Sequence, residues 1–232
     1  MTYVTSDLHG YPLEKFLELL KMVNFSDEDF LYVLGDVIDR GKDGVKLLKF
    51  MMAQKNVQLI LGNHEAMLLA CSDFLFDGTE CDTSSLTGTN RSLFATWTSN
   101  SGQPTYEALS VMRPSEVRYI LDYLKEAPLY ETVTVNDREF VLVHGGLGNF
   151  RSEKPLSEYA ITDLLWTRPS LYHDYYRDKT TIFGHTPTVF LKESSKGRAL
   201  VTETWIDIDT GTALGLDPML LRLDDLKQFY VD

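Results

Sequence analysis

The sequence predicts an α/β fold, and three observations carry that reading. Short apolar runs alternate with amphipathic helical patterns from Thr2 to Phe74. Each apolar run stops at a turn rich in glycine and acid, and past Pro128 the chain becomes β-rich. Taken in order, "YVTS" at Tyr3 to Ser6 is a first strand, rich in β-branched residues. "PLEKFLELLKMV" follows as a helix, with Leu13, Phe16, Leu17 and Leu20 on one face and Pro12 suited to the first turn. "FLYVLG" is a second strand, "DGVKLLKFMMAQ" a second helix and "NVQLILG" a third strand, before a third helix from about Glu65 to Phe74. Strands and helices alternating at this spacing imply right-handed crossovers and a parallel sheet.

Residues 77–100 are rich in Thr, Ser, Asn and Gly and read as a long loop or irregular insertion. Helical patterning resumes in "SEVRYILDYLKEAP". "LYETVTV" and "REFVLVH" then form a hairpin turning at Asn136-Asp137. "TIFGH", "RALVTETWIDID" and "MLLRLDDLKQFYV" supply further strands, the last with a turn near Asp224-Asp225. With no repeat and no linker, residues 1–232 read as one domain carrying a helical or loop cap insertion at roughly 77–127.

Composition narrows the function. The chain has 232 residues, 44% of them hydrophobic and 24% charged, an ordinary globular balance. A net charge of −12 argues against nucleic-acid or membrane-surface partners, which need a basic footprint. A bound divalent metal would offset part of that charge. Cys71 and Cys81 make no disulfide framework, and "MTYVTSDLHG" shows no signal peptide, so a reduced, cytoplasmic setting is expected.

Chemistry collects at the strand ends. "SDLHG" presents Asp7 and His9, "GDVIDRG" presents Asp36, Asp39 and Arg40, and "GNHE" presents Asn63, His64 and Glu65. "HGG" adds His144 and "GHT" adds His185. The carboxyl ends of parallel strands share one sheet edge, so the first three clusters are expected to converge. Aspartate, histidine and an asparagine amide without thiolates suit Mn, Fe or Zn, and their number fits a two-metal site. Asp7 or Asp36 alone would read as a helix cap. His173, in "LYHDYY", reads as an ordinary surface or core histidine, whereas the other four of the five histidines lie in glycine-flanked clusters.

In this order, "SDLHG … GDVIDRG … GNHE … HGG … GHT" resembles the metal-dependent phosphoprotein phosphatases, a branch of the calcineurin-like metallophosphoesterases. The resemblance runs from Asp7 to the "IDTG" ending at Gly211, and length and insertion look closest to small bacterial and phage phosphatases of the lambda type. It implies a four-layer α-β-β-α sandwich. It implies two divalent ions, with manganese first and Fe or Zn as substitutes: one held by Asp7, His9 and Asp36, the other by Asp36, Asn63, His144 and His185. His64 would be the general acid, oriented and kept protonated by Asp39. Arg40 and Arg168 of "LLWTRP" would grip phosphoryl oxygens. Ser6 replaces the family's usual glycine, and "WTSNSGQPT" (Trp97 to Thr105) loosely resembles a stretch of bacterial relatives, leaving it as substrate contact or helical cap. Glu65 reads as a supporting or helix-start residue.

The reading expected first is a serine/threonine phosphoprotein phosphatase in which a metal-activated water attacks phosphorus directly, with phosphoprotein or phosphopeptide as partner. The alternative is a nucleotide hydrolase similar to the symmetrical diadenosine tetraphosphatases. A third is an idle phosphate-binding scaffold, against which the complete ligand set and acid argue.

Overall fold

The computed structural model describes residues 1–76 and 82–231, which build two five-stranded sheets. The first half forms β1 (Thr2–Thr5), α1 (Leu13–Met22), β2 (Phe30–Leu34), α2 (Gly44–Ala53), β3 (Val57–Ile60) and α3 (Asn63–Leu75). A helical segment follows: α4 (Gly88–Ser99), α5 (Gln103–Ser110) and α6 (Pro114–Glu126). The second half has β4 (Tyr130–Val135), β5 (Arg138–Val143), α7 (Ile161–Leu165), β6 (Thr180–Phe183), α8 (Thr188–Leu191), β7 (Leu200–Val201), β8 (Trp205–Asp207), β9 (Met219–Arg222) and β10 (Lys227–Tyr230).

The sheet orders are β10-β9-β1-β2-β3 and β4-β5-β6-β8-β7. Each has three parallel strands: β1, β2 and β3 in one, with antiparallel β9 beside β1 and β10 antiparallel to β9, and β5, β6 and β8 in the other, between the antiparallel edges β4 and β7. Alternation along the strands assigns the layers. Val4, Leu34 and Ile60 of the first sheet pack with Phe140, Leu142, Ile182 and Ile206 of the second. Their neighbours Tyr3, Leu31, Val33 and Leu59 face the other way, onto Phe16, Leu19, Leu47, Leu48, Leu68 and Leu121 of the helices. On the second sheet's outer face, Val141, Val143, Phe183 and Trp205 meet Leu164 of α7 and the loop side chains Tyr159, Tyr175 and Tyr176. The result is the expected sandwich of two mixed sheets flanked by helices, although helical cover over the second sheet is short.

Two sequence expectations need correction, and the sequence leaves one strand placement open. Leu17 lies on the solvent side of α1, where Leu19 joins Phe16 and Leu20 in the core. Residues 77–81 of the expected loop, with Cys81, lie outside the described residues, but 88–99 are helical. The polar composition of α4 disfavours helix, and packing overrides it: Phe94 and Trp97 stack edge-on with each other and with Tyr106. The sequence assigns the last two strands to no sheet, and the structure places both in the first. They return to pair beside β1, through Tyr3↔Arg222 and Val4↔Leu221.

Candidate active site

Every predicted cluster sits where a parallel strand ends, and both sheets deliver theirs to one place. Asp7 follows β1, Asp36 follows β2, Asn63 and His64 open α3, His144 follows β5 and His185 follows β6. The backbone there is unusual. Asp7, His9, Asp36, Asp39, Arg40 and His185 all have positive φ, between 44° and 69°. Left-handed backbone costs a residue with a Cβ about 1–2 kcal/mol, so the surrounding structure must hold these turns. It does so through backbone bonds between the first two turns, His9 N–H to Asp36 O (2.8 Å) and Gly10 N–H to Val37 O (2.8 Å). Glu65, fully buried, adds a second restraint. Its Oε2 accepts from the N–H groups of Asp36 (2.8 Å) and Gly62 (3.1 Å), and its Oε1 from Val37 (2.8 Å) and Ile38 (3.2 Å). Gly62 is required here, since a Cβ would strike Asp36 and the Glu65 carboxylate.

Asp36 is the centre of the cluster. Its carboxylate faces His9 Nε2 at 3.7 Å, His64 Nε2 at 3.9 Å and His144 Nε2 at 3.3 Å. Two groups that could hold a metal share it: His9, Asp36 and His64, and Asp36, His144 and His185. Asp7 and His185 meet although they lie at opposite ends of the chain, with His185 N–H donating to Asp7 Oδ2 at 2.9 Å. Gly184 permits this approach, because a Cβ there would collide with Asp7. Asn63 Oδ1 lies 2.9 Å from His144 Nε2. The fit to cations rests on two buried atoms, Asp7 Oδ1 and His185 Nε2, that have no hydrogen-bond partner in the protein. A buried carboxylate oxygen and a buried imidazole nitrogen left without partners are each ligand atoms suited to a divalent ion.

The four histidines of the site have different electrostatic fates. His9 and His185 are pushed down to about 3, chiefly by burial, and so keep neutral rings with a free lone pair. His144 is raised to about 10: burial opposes its charge, but Asp36 outweighs it. A divalent cation competing for the same nitrogen would displace that proton. For His64 burial again opposes the charge, and Asp36 and Asp39 together raise it above the ordinary histidine range. Its Nδ1 lies 2.7 Å from Asp39 Oδ2. Asp39 is fully buried and further fixed by Trp97 Nε1–H (2.9 Å to Oδ2) and Thr105 Oγ1–H (2.6 Å to Oδ1).

These cradle residues come from "WTSNSGQPT", which the sequence left between substrate contact and cap. Trp97 and Thr105 secure Asp39, while Asn100 lines the cleft. The cleft, about 180 Å³, is also lined by Arg40 and Arg168. Arg168 Nη1 donates to His185 O (3.3 Å) and Thr186 Oγ1 (3.2 Å), so it is docked at the site's rim. His173 is exposed, with its ring beside Ser170, in keeping with its ordinary reading. Sequence reasoning missed Asp209, which lines the cleft after β8 and is raised to about 7 by burial. Its signal was the "IDTG" turn at a strand end. Among the described residues no helix is long and apolar enough to cross a membrane.

The sequence profile of the calcineurin-like phosphoesterases matches residues 2–205. The chain belongs to this family of metal-dependent hydrolases. Among curated proteins it is similar to the symmetrical bis(5'-nucleosyl)-tetraphosphatase of Nitrosomonas europaea, 31% identical over 63% of this chain and 44% of that protein. The enzyme of the same name from Buchnera aphidicola is 42% identical over 30% of this chain and 26% of its own length. The chain therefore aligns with between a quarter and a half of these curated relatives. Among solved structures, a provisionally named diadenosine tetraphosphatase superposes with a TM-score of 0.67 at 17% identity, covering 99% of this phosphoesterase and 92% of that chain. A serine/threonine phosphatase from Saccharomyces cerevisiae gives 0.60 at 14% identity, covering 100% and 80%. At those identities the likeness is one of fold.

Proposed function

We propose that this phosphoesterase hydrolyses a nucleoside polyphosphate of the dinucleoside tetraphosphate class, using two divalent ions, manganese first. The observation that carries the reaction type is the single carboxylate of Asp36 shared by two histidine clusters, with Arg40 and Arg168 lining the same cleft. Asp7, His9 and Asp36 would hold one ion, and Asp36, Asn63, His144 and His185 the other. Such ions supply a nucleophilic water near neutral pH and screen phosphoryl charge. The remaining work falls to side chains. The guanidinium forks of Arg40 and Arg168 orient the phosphate chain for in-line attack. His64, charged and aimed by Asp39, delivers a proton to the departing oxygen. The substrate class is supported by the curated relatives' names, which favour the nucleotide alternative over the phosphoprotein reading that the motifs first suggested.

One observation favours phosphoserine or phosphothreonine as a second reading. The His64–Asp39–Trp97–Thr105 assembly keeps a proton in place for transfer, and an alkoxide leaving group needs one more than a nucleoside diphosphate does. Specificity constants of the manganese-loaded protein for diadenosine tetraphosphate and for a phosphoserine peptide separate the two. A preference for the dinucleotide, with ADP as product, is expected. A clear peptide preference would replace the first reading with the second.

A further inference from the structure

Beyond the arginines, the cleft wall changes character. Pro187, Phe190, Ala213 and Leu214 line it and carry no charge. Phe190 is 68% exposed and Leu214 50% exposed, although both residue types are ordinarily buried. Isolated apolar side chains on a surface are unremarkable, but these share one wall beside a phosphate-sized site.

We propose that Phe190, backed by Leu214 and Pro187, is a stacking platform for the nucleobase of the substrate, making it the specificity-determining residue of this site. This rests on the nucleotide reading above and adds the part of the substrate that the metals and arginines do not touch. Three features favour a base. The enclosed volume of about 180 Å³ is below that of ordinary small-molecule pockets, so it suits the phosphoryl end and leaves a base on the open rim. The main-chain donors of the two exposed residues are spent: Phe190 N–H bonds Pro187 O and Leu214 N–H bonds Gly211 O, both at 2.8 Å, and proline has none. An extended peptide is read through main-chain hydrogen bonds or charge, and Phe190, Leu214 and Pro187 offer no charge and no free main-chain donor, whereas a flat π-face needs only an apolar surface. The platform is also held in place. Thr188, fully buried at the start of α8, donates its N–H to Asp209 O (2.9 Å) and lies 2.8 Å through Oγ1 from the carbonyls of Ser195 and Arg198.

Calorimetric titration of manganese-loaded wild type, Phe190→Ala and Phe190→Trp with ADP and with inorganic pyrophosphate tests this. Loss of the ring should weaken ADP about tenfold, the scale of one base–aromatic stack, and leave pyrophosphate within about twofold. Tryptophan should keep or tighten ADP. Equal weakening of both ligands by Phe190→Ala, or no change in either, overturns the platform. In that case hydrolysis of diadenosine tetraphosphate by the wild type would leave the nucleotide reading standing. A wild type that binds ADP no better than pyrophosphate and prefers a phosphopeptide overturns both.

Discussion

The two halves of the site are supported differently. On the side built by the first sheet, Asp7 Oδ1 is bare, but the turn and the acid are densely bonded: Glu65 takes four backbone donors, and Asp39 is held by His64, Trp97 and Thr105. On the side built by the second sheet, His185 Nε2 is buried and bare, and the cover beneath is largely aromatic loop, with Tyr175 and Tyr176 standing where the first sheet has long helices. The first arrangement aims an acid. The second leaves a nitrogen free to ligate, so one residue type serves two ends according to whether its neighbours satisfy it.

That contrast can be broken at several points. The largest effect is expected from Asp36→Asn, which removes the anion both halves share. Initial rates should fall by at least about a thousandfold, and manganese content by elemental analysis should drop with them. Full activity would show that the halves do not depend on a common carboxylate. Next comes His64→Asn, expected to lower kcat by about 10²–10⁴-fold on a substrate with a poor leaving group and far less on p-nitrophenyl phosphate. An equal loss on both would remove the proton-donor role.

The pH profile sharpens the same point. The raised pKa of His64 means the imidazolium persists above the ordinary histidine range and is lost as pH rises through it. Asp39→Asn should therefore move the alkaline limb of kcat to lower pH, and an unmoved limb would dissociate Asp39 from the acid. Glu65→Gln puts an amide N–H₂ against backbone donors. It should lower stability by about 1–3 kcal/mol in urea melts and weaken manganese binding by about tenfold. The smallest change is expected on the other side. Tyr175→Phe, which loses a 3.0 Å bond from Leu147 N–H, should cost about 1 kcal/mol in the same melts without altering kcat.

Much of the first half was legible because its chemistry is local to strand ends. Asp7, Asp36 and His64 each follow an apolar run with glycine within three residues, and that spacing already implies one sheet edge. Asp209 follows the same logic at β8, yet with no histidine or preceding glycine its "IDTG" turn marked only the end of the resemblance and gave Asp209 no role. The helix α4 was illegible for the opposite reason: its threonines, serines and one asparagine favour loops, and only the burial of Trp97 against Asp39 and Tyr106 makes it helical.

By itself the sequence determined the alternation of strands and helices, the glycine-flanked turns and the set of side chains able to hold cations and phosphate, because periodicity and turn chemistry act over a few residues. Tertiary structure alone decided that β9 returns beside β1, that Asp7 touches His185, which histidines are charged, and that Phe190 faces the cleft. Those outcomes depend on burial and on distances between segments far apart in the chain, and neither exists until the two sheets have packed.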